Sequence, residues 1–380
     1  MTEHYFDNAA TSYPKPPEVV EHIRHFLVDI GTNINRGSYA SAYSAADTVL
    51  ETRELLCTLF GFPKPTNVVF TKNITESLNV VIKGLLQPGD HLLLSSLEHN
   101  AVLRPLHSML AKGISYSAVP CTPDGNLDLA ILPSLVQANT KAVLMTHASN
   151  VSGTILPLEQ VGEFCRRNNL YFIIDTAQTA GFLELDMEKL GADALTFTGH
   201  KGLLGPMGIG GFLLTDRLAE IMPPLLEGGT GSLSEELQHP PFLPDKYESG
   251  TMNIPGVFGL NAALKYLMRH GLPAIREQEL ALTARFIAGI KNMNGIKIIG
   301  PETVENRTAI VSLDFPGKDN ADIAHRLARD YQILTRCGLH CSPAAHQTLG
   351  TFPQGTVRFS FSHFNTEAEI DYALNIIAHL

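Results

Sequence analysis

The chain reads FIIDTAQ at residues 172–178 and ALTFTGHK at residues 194–201. Each stretch is a short apolar run bounded by glycine or polar residues, and the two runs lead into Asp175 and Lys201. Short continuous apolar runs of this kind are typical of strands buried in a parallel sheet. Ligands of open α/β sheets bind at the carboxyl ends of the strands. The pattern therefore predicts that Asp175 and Lys201 lie side by side over one crevice.

An acid and an amine at neighbouring strand ends suit pyridoxal 5'-phosphate. This cofactor needs a lysine for its covalent link to the protein and an acid opposite its ring nitrogen. Asp175 and Lys201 would equally fit a buried ion pair with a structural role, because such pairs also occur outside active sites. On these two residues alone, both interpretations stay open.

The bulk composition indicates a globular protein of two or three domains, since 380 residues exceed one average domain. A net charge of -10 and the lack of any basic block argue against a nucleic-acid surface. The sequence has no apolar run long enough for a membrane helix and no pattern of a signal peptide at its start. Its five scattered cysteines fit reduced thiols, which predicts a cytoplasmic location.

The rest of the chain alternates strands with helices. Apolar runs predict strands at residues 68–71, 91–95 and 141–146, each followed by a polar turn. Helical spacing follows the first of these turns at once, and another helix is predicted around residues 158–168. Repeated strand–helix units predict a parallel sheet with helices on both faces. From about residue 256 the order changes to two long helices and then short strands, which indicates a smaller α+β domain.

Several of the predicted strands end in polar residues that could contact a ligand. Thr75 lies where a strand turns into a helix, so its hydroxyl and the free backbone N–H groups could hold an anion. An ordinary helix cap is the alternative there. His99 and Asn150 follow the next strands, as ligand contacts or as plain loop residues. A long loop at residues 222–253, rich in proline, glycine and serine, contains Thr251 and is typical of a functional loop.

Two cysteines lie in one loop near the end of the chain. Cys337 and Cys341 flank Gly338-Leu339-His340, between Arg336 and Arg358. A thiolate near arginine and histidine is chemically reasonable, while a pair of inert half-buried thiols is the alternative. A metal site is disfavoured because a second pair of ligands is missing. We therefore expect no metal.

Together these segments resemble the pyridoxal-phosphate enzymes of aminotransferase class V, specifically the cysteine desulfurase and selenocysteine lyase branch, over nearly the whole chain. The most specific segments are Asp175-x-x-Gln178, Thr198-Gly199-His200-Lys201 and Arg336-x-Gly338-x-His340-Cys341. The resemblance implies the α/β fold type I of these enzymes. A large domain, residues 15–255, would hold a mainly parallel seven-stranded sheet between helices. Residues 1–14 and 256–380 would form a small α+β domain that carries the catalytic-cysteine loop.

The resemblance also implies roles around the cofactor. Lys201 corresponds to the catalytic lysine that binds the cofactor covalently, and Asp175 to the acid that keeps the pyridine nitrogen protonated. Gln178 would hydrogen-bond the ring hydroxyl, and His99 would stack on the ring and take part in catalysis. The phosphate ligands implied are Thr75, Thr198, His200 and, from the other subunit of a homodimer, Thr251.

On the substrate side, the resemblance implies that Asn150 and Arg358 bind a carboxylate, since a guanidinium fits a carboxylate with two parallel bonds. Arg36 would be lent by the partner subunit, and Arg336 is grouped with these substrate-binding residues. Cys341 matches the nucleophile, which would take the sulfur of L-cysteine as a persulfide and leave L-alanine. Cys337 stands where relatives often have another residue, and either resolves the persulfide or has no role.

Three departures from better-known members indicate a side branch. One extra residue follows Lys201, Leu339 replaces the first histidine of a common pair, and Asn100 replaces a second histidine. We expect a desulfurase that passes sulfur to an acceptor protein. The alternatives are a selenocysteine lyase, an amine transfer or epimerisation that does not need Cys341, and a scaffold without activity in which Lys201 is dispensable.

Overall fold

The structure is a computed structural model that describes residues 3–34, 37 and 39–380. The helices are α1 (Pro17–His25), α2 (Ala40–Phe60), α3 (Ile74–Leu85), α4 (Asn100–Leu110), α5 (Leu158–Arg167), α6 (Met187–Leu190), α7 (Asp216–Ile221), α8 (Ile254–His270), α9 (Leu272–Lys291), α10 (Asn320–Tyr331), α11 (Pro343–Thr348) and α12 (Glu367–Ile377). The strands are β1 (His4–Tyr5), β2 (Val68–Thr71), β3 (His91–Ser95), β4 (Ser115–Val119), β5 (Thr140–Thr146), β6 (Tyr171–Asp175), β7 (Ala194–Thr198), β8 (Gly210–Leu214), β9 (Lys297–Ile299), β10 (Ile310–Asp314), β11 (Ile333–Leu334), β12 (Arg336–Gly338) and β13 (Thr356–Ser360).

A seven-stranded sheet organises the larger part of the chain, in the order β2-β8-β7-β6-β5-β3-β4. Only β8 runs against its neighbours β2 and β7; the other pairings are parallel. Asp175 is in register with Thr146 of β5 and Thr196 of β7, so the carboxyl ends of three central strands meet at one edge. The predicted fold class, an α/β fold with a mainly parallel seven-stranded sheet between helices, is confirmed.

Helix ends in the first hundred residues follow the local sequence. A single turn of π-helix (Phe26–Ile30) extends α1, and Gly31 ends it with a φ of 58°. Gly61 ends α2 in the same left-handed conformation, which costs glycine no steric penalty. Asn73 caps α3, since its side chain accepts a hydrogen bond from the backbone N–H of Glu76. The helix that presents Thr75 is therefore fixed at its first turn.

Apolar side chains from the two faces of the large sheet form separate cores. Leu93, Val143 and Phe172 belong to the core on one face, and Leu92, Leu94 and Leu144 to the core on the other. Alternate residues of a strand point to opposite faces, so both faces need a helical cover to keep these side chains from water. This double burial explains why the strands read as continuous apolar runs.

A four-stranded antiparallel sheet, in the order β12-β13-β10-β9, lies in the C-terminal part. The N-terminal strand β1 pairs with β11, and Phe6 packs in the same core as Phe359 and Phe361. The first residues of the chain thus pair with β11 and pack in the core of the four-stranded sheet.

The expected division places most of α8 in the small domain, but α8 packs in the core of the large sheet. Val257, Phe258 and Leu260 of α8 are buried in the core that contains Val19 of α1, and not in the core of the four-stranded sheet. Side chains of the second half of α9, beginning with Leu282, belong to the latter core. The boundary expected at residue 256 remains a prediction, and this packing favours a boundary within α9.

Within the part of the chain that the structure describes, we find no helix with the length and apolar character that crossing a membrane requires.

Candidate functional site

Asp175 ends β6 at the centre of the sheet edge. Its side chain is buried, and its Oδ1 accepts a hydrogen bond of 2.8 Å from the backbone N–H of Ala177. Burial raises the pKa of Asp175, while the Ala177 N–H and the positive charge of Lys201 oppose this shift. A buried carboxyl group that accepts one hydrogen bond and lies near a cation can also accept a hydrogen bond from a protonated ring nitrogen.

Lys201 lies in the turn that follows β7. Burial lowers the pKa of Lys201 to about 8, with Arg358 and Arg336 adding to the shift and Asp175 opposing it. Roughly a tenth of the amine is then neutral at pH 7, far more than for an ordinary lysine, and a nucleophilic lysine needs this neutral form.

Glycines allow the turns after β6 and β7 to approach each other at the level of the backbone. A Cβ atom on Gly202 would lie 2.5 Å from the carbonyl oxygen of Ala180, and Gly181 has a φ of 84°. The contact brings the turn that carries Gln178 against the turn that carries Lys201. Both of these residues line a small cavity of about 60 Å³. The turns after β6 and β7 thus lie next to each other, as their adjoining strand ends predict.

The N-terminal segment holds the lysine turn from the other side, which the sequence did not reveal. Four groups are within hydrogen-bond distance of the carbonyl oxygen of His200: the backbone N–H of Ser12 at 3.0 Å, the Ser12 hydroxyl at 3.2 Å, the Thr11 hydroxyl at 3.1 Å and the Lys15 amine at 2.7 Å. The Ser12 hydroxyl also donates to the carbonyl of Lys201 at 2.9 Å. The backbone around Lys201 is therefore fixed by residues far away in sequence.

Two of the predicted phosphate ligands carry buried polar atoms that have no hydrogen-bond partner among the described residues. These are Thr198 Oγ1 and His200 Nδ1. Burial and the neighbouring Lys201 lower the pKa of His200 to about 4, so its ring is neutral near pH 7. Buried polar atoms normally have a hydrogen-bond partner, so both atoms indicate a missing ligand with matching polar groups. Thr75 lies exposed in the first turn of α3.

His99 caps α4. Its Nδ1 accepts a 3.0 Å hydrogen bond from the backbone N–H of Ala101, which leaves the hydrogen of the neutral ring on Nε2. Burial lowers the pKa of His99 to about 4, with further contributions from Lys201 and Arg336. Gln178 donates from Nε2 to the carbonyl of Ala9 at 3.2 Å. Pyridoxal 5'-phosphate fits the residues that meet here, namely Lys201, Asp175, Thr198, His200 and the neutral ring of His99.

Arg358 is almost completely buried, with 1% of its side chain exposed. It donates to Asp7 Oδ1 at 2.8 Å and to the carbonyl of Asn150 at 3.0 Å, while its Nε–H has no partner in the part of the chain that the structure describes. Arg336 stands directly opposite Arg358 in the antiparallel pair β12–β13. Opposite residues share a face of a sheet, so two cations converge there and favour an anion such as a carboxylate.

Cys341 is exposed, and its Sγ lies 3.6 Å from Nη2 of Arg336. His340 and Cys341 both adopt a positive φ, of 48° and 60°. The carbonyl of Cys341 accepts a 2.9 Å hydrogen bond from the backbone N–H of Asn100, the residue after His99. The thiol thus lies on an ordered turn joined to the sheet edge that bears the other site residues.

Cys337 has a different environment. It is half-buried in β12, next to Arg336 but on the opposite face of the strand. Burial raises the pKa of the Cys337 thiol, and the negative charge of Asp319 adds to the shift. These features favour an unreactive thiol over a second nucleophile.

Thr251, one of the two residues expected from a partner subunit, does not lie at Lys201 in this chain. Thr251 is exposed and lines a separate cavity of about 250 Å³ with Lys72 and Glu76. Arg36 lies outside the described residues. Among residues 3–34, 37 and 39–380, no group of three or more histidine, cysteine, aspartate or glutamate side chains is placed to bind a metal ion.

Sequence reasoning missed Glu98, which is fully buried beside the site. Its Oε1 accepts hydrogen bonds from the Ser95 hydroxyl at 2.5 Å and from the backbone N–H of Thr146 at 2.9 Å. Within residues 3–34, 37 and 39–380, its Oε2 has no partner. Burial raises the pKa of Glu98 to about 8, and the charge of Asp175 adds to the shift. A glutamate directly before the predicted site residue His99 was the available signal.

Known proteins match this chain over nearly its whole length. The family model described as aminotransferase class V matches residues 4–373. A probable cysteine desulfurase of Pyrococcus abyssi is 33% identical over 99% of this chain and 94% of its own length. One of Mycolicibacterium paratuberculosis is also 33% identical over 99% of this chain, which spans 55% of that longer relative.

Solved structures give the same result. The apo structure of a cysteine desulfurase from Thermococcus onnurineus matches with a TM-score of 0.93 and 33% identity, covering 99% of this chain and 94% of that one. A cysteine desulfurase from Escherichia coli matches with a TM-score of 0.88 and 29% identity, with the same coverage of 99% and 94%. The resemblance expected from the sequence is confirmed, and the chain belongs to the aminotransferase class V family.

Proposed function

We propose that this protein is a cysteine desulfurase that converts L-cysteine to L-alanine and keeps the sulfur as a persulfide on Cys341. The observation that carries the proposal is the ordered turn of Cys341. It presents an exposed thiol 3.6 Å from Arg336 and is hydrogen-bonded to Asn100, the residue that follows His99. The cysteine desulfurases among its relatives and structural neighbours support the same activity.

We infer that the cofactor is pyridoxal 5'-phosphate. Lys201 would bind it covalently, Asp175 would face the ring nitrogen, Gln178 the ring hydroxyl, and His99 the ring face. Its phosphate would contact Thr75, Thr198 and His200, two of which have buried polar atoms without a partner. When bound, this cofactor withdraws electrons from the substrate carbon and so makes the C–S bond breakable.

The residues of the chain supply binding, proton transfer and the nucleophile. The free Nε–H of Arg358 offers a donor to the substrate carboxylate. Lys201, whose pKa of about 8 lies close to neutral, can take up and return a proton during the reaction. The Cys341 thiolate attacks the substrate sulfur, an S–S bond forms and the C–S bond breaks. The released carbon takes up a proton, so a thiol and L-cysteine give a persulfide and L-alanine.

The test measures L-alanine formed from L-cysteine and locates the persulfide by mass spectrometry. We expect both products in the wild-type protein, the persulfide on Cys341, and loss of the persulfide in Cys341→Ser. Cys337→Ser serves as the matched control, because Cys337 lies on the opposite strand face and should not change either product. Absence of alanine from the wild-type protein loaded with cofactor would refute the proposed function.

We further propose that the protein acts as a homodimer in which Arg36 and Thr251 reach the site of the other subunit. The exposure of Thr251 and of several apolar side chains supports an interface. The exposed apolar residues are Val20, Leu27, Val28, Tyr43, Leu226 and Leu237. Mixing a Lys201→Ala subunit with a Thr251→Ala subunit should restore activity, since one site of the mixed dimer then has both residues. No restoration would contradict the shared site.

We also propose that an acceptor protein receives the sulfur and that the enzyme works in the cytoplasm. The exposed Cys341 is accessible to an acceptor protein for the sulfur. All five cysteines are free, which supports a reducing compartment such as the cytoplasm. Transfer of labelled sulfur from Cys341 to candidate thiol proteins, and fractionation of cells, would test these two proposals.

A further inference from the structure

The turn at residues 339–342 has a strained backbone. His340 and Cys341 are both in the left-handed region, although neither is glycine. This conformation places the Cβ atom close to the following carbonyl and is disfavoured for residues with a side chain. Such conformations persist only when surrounding contacts hold them. The position of the Cys341 thiol therefore depends on whatever fixes this turn.

Asn150 contacts both residues that flank Cys341. Its Nδ2 donates to the carbonyl of His340 at 2.8 Å, and its Oδ1 accepts from the hydroxyl of Ser342 at 2.7 Å. Asn150 is only 9% exposed, and His340 and Ser342 are buried as well. Hydrogen bonds in such a buried place are costly to leave unmade, so the two bonds act as a clamp on the turn.

Asn150 also contacts the cation that is expected to bind the substrate. Its carbonyl accepts a 3.0 Å hydrogen bond from Nη1 of Arg358. Among the described residues the Nε–H of Arg358 has no partner, and each polar atom of the Asn150 side chain makes one hydrogen bond to the turn. Arg358 thus offers a donor to a carboxylate, while the Asn150 side chain holds the turn of the nucleophile and keeps a second amide hydrogen on Nδ2.

We propose that Asn150 is a positioning residue that holds the Cys341 turn in its left-handed conformation and links it to Arg358. This role goes beyond the carboxylate contact that the resemblance implies for Asn150. The kinetic part of the proposal rests on the desulfurase activity proposed above, whereas the effect on the turn does not.

The first experiment measures hydrogen–deuterium exchange of the peptide that contains residues 339–342. Asn150→Ala removes both bonds, and we expect exchange in this peptide to become about tenfold faster. Asn150→Asp keeps the size of the side chain but sets a carboxylate oxygen against the His340 carbonyl, so it should give the same direction of change. Having this second variant keeps the test valid if Asn150→Ala does not fold.

Asn67→Ala is the matched control. Asn67 is also buried and donates to a backbone carbonyl, that of Leu214, at 3.0 Å, but it precedes β2 at the other edge of the sheet. We expect no change in the peptide of residues 339–342 in this variant. Unchanged exchange there in both Asn150 variants would overturn the clamp.

The second experiment separates positioning from carboxylate binding alone. For Asn150→Asp we expect kcat for alanine formation to fall about tenfold or more, because the nucleophile is misplaced. A rise in KM with an unchanged kcat would overturn the proposal in favour of a carboxylate ligand. If the wild-type protein forms no alanine, the proposed function fails, yet the exchange experiment still decides whether Asn150 holds the turn.

Discussion

Arg358 and Asp7 form an ion pair of 2.8 Å between residues 351 positions apart in the sequence. The pair joins the first residues of the chain to β13 and fixes the orientation of the guanidinium. Because the Arg358 side chain is 1% exposed, removing Asp7 would leave a buried cation without a carboxylate partner among the described residues. Through this pair the N-terminal segment stabilises the C-terminal sheet. It also orients the guanidinium that we propose binds a substrate carboxylate.

We predict that Asp7→Ala lowers the free energy of unfolding by about 3 kcal/mol, the cost of breaking a buried ion pair. Asp7→Asn should cost less, because its amide oxygen can still accept a hydrogen bond from Arg358. Unfolding in urea measures both effects. Glu21→Gln, which removes the exposed pair of Glu21 with Arg24, is the control and should change stability little. Equal stability of Asp7→Ala and wild type would contradict the prediction.

The buried Glu98 should make the stability of the folded protein depend on pH. The pKa of Glu98 is about 8 in the folded protein, above its ordinary value of 4.5. Between these values the folded state keeps a proton that the unfolded state has lost, so Glu98 makes stability fall as pH rises from about 4.5 to 8. The slope approaches 1.4 kcal/mol per pH unit within this window.

Glu98→Gln should remove this contribution, because a neutral amide can accept the same hydrogen bonds from Ser95 and Thr146 at every pH. We expect the variant to gain stability relative to wild type as pH rises from 5 to 8, measured by denaturant unfolding at several pH values. Parallel stability curves for the two proteins across this range would show that Glu98 is not protonated in the folded state.

Local patterns predicted the strands that are buried on both faces. The runs at β3, β5, β6 and β7 are continuous in apolar residues, since helices cover the sheet on both sides. The edge strand β4 was missed because Ser115, Tyr116 and Ser117 include side chains that remain accessible to water. The helix α4 was missed because it starts directly at the predicted site turn and contains Pro105, which is unfavourable inside a helix.

The site was predictable where chemistry follows a strand end, as for Asp175 and Lys201. The roles of Asp7, Ser12 and Lys15 were not, because each contacts the site only through a fold that brings together distant parts of the chain. A carboxylate directly after the apolar pair Tyr5-Phe6 was the signal for Asp7, since it repeats the pattern that identified Asp175. Contacts across a subunit interface, as expected for Thr251, are still predictions.

Lys201 gives the simplest prediction on activity. Lys201→Ala should lower alanine formation by about a thousandfold or more, because no other described amine with a comparably lowered pKa lies at Asp175. Asp175→Asn should also weaken turnover severely, since an amide does not hold a protonated ring nitrogen. Lys189→Ala, at an exposed lysine, is the control. Turnover of Lys201→Ala near the wild-type rate would exclude the proposed role and support a scaffold without this chemistry.

The two cysteines of the last loop distinguish a desulfurase from a selenocysteine lyase. A selenol has a lower pKa than a thiol and the C–Se bond breaks more readily, so selenium can leave without a nucleophile, whereas sulfur needs attack by a thiolate. We predict that Cys341→Ala lowers alanine formation from L-cysteine about tenfold or more and leaves substantial activity on L-selenocysteine. Cys337→Ala should preserve both activities, because Cys337 lies half-buried on the strand face opposite Arg336. Alanine production with each substrate and mass spectrometry of the persulfide measure this; a persulfide on Cys337, or wild-type desulfuration by Cys341→Ala, would show that the nucleophile has been assigned to the wrong residue.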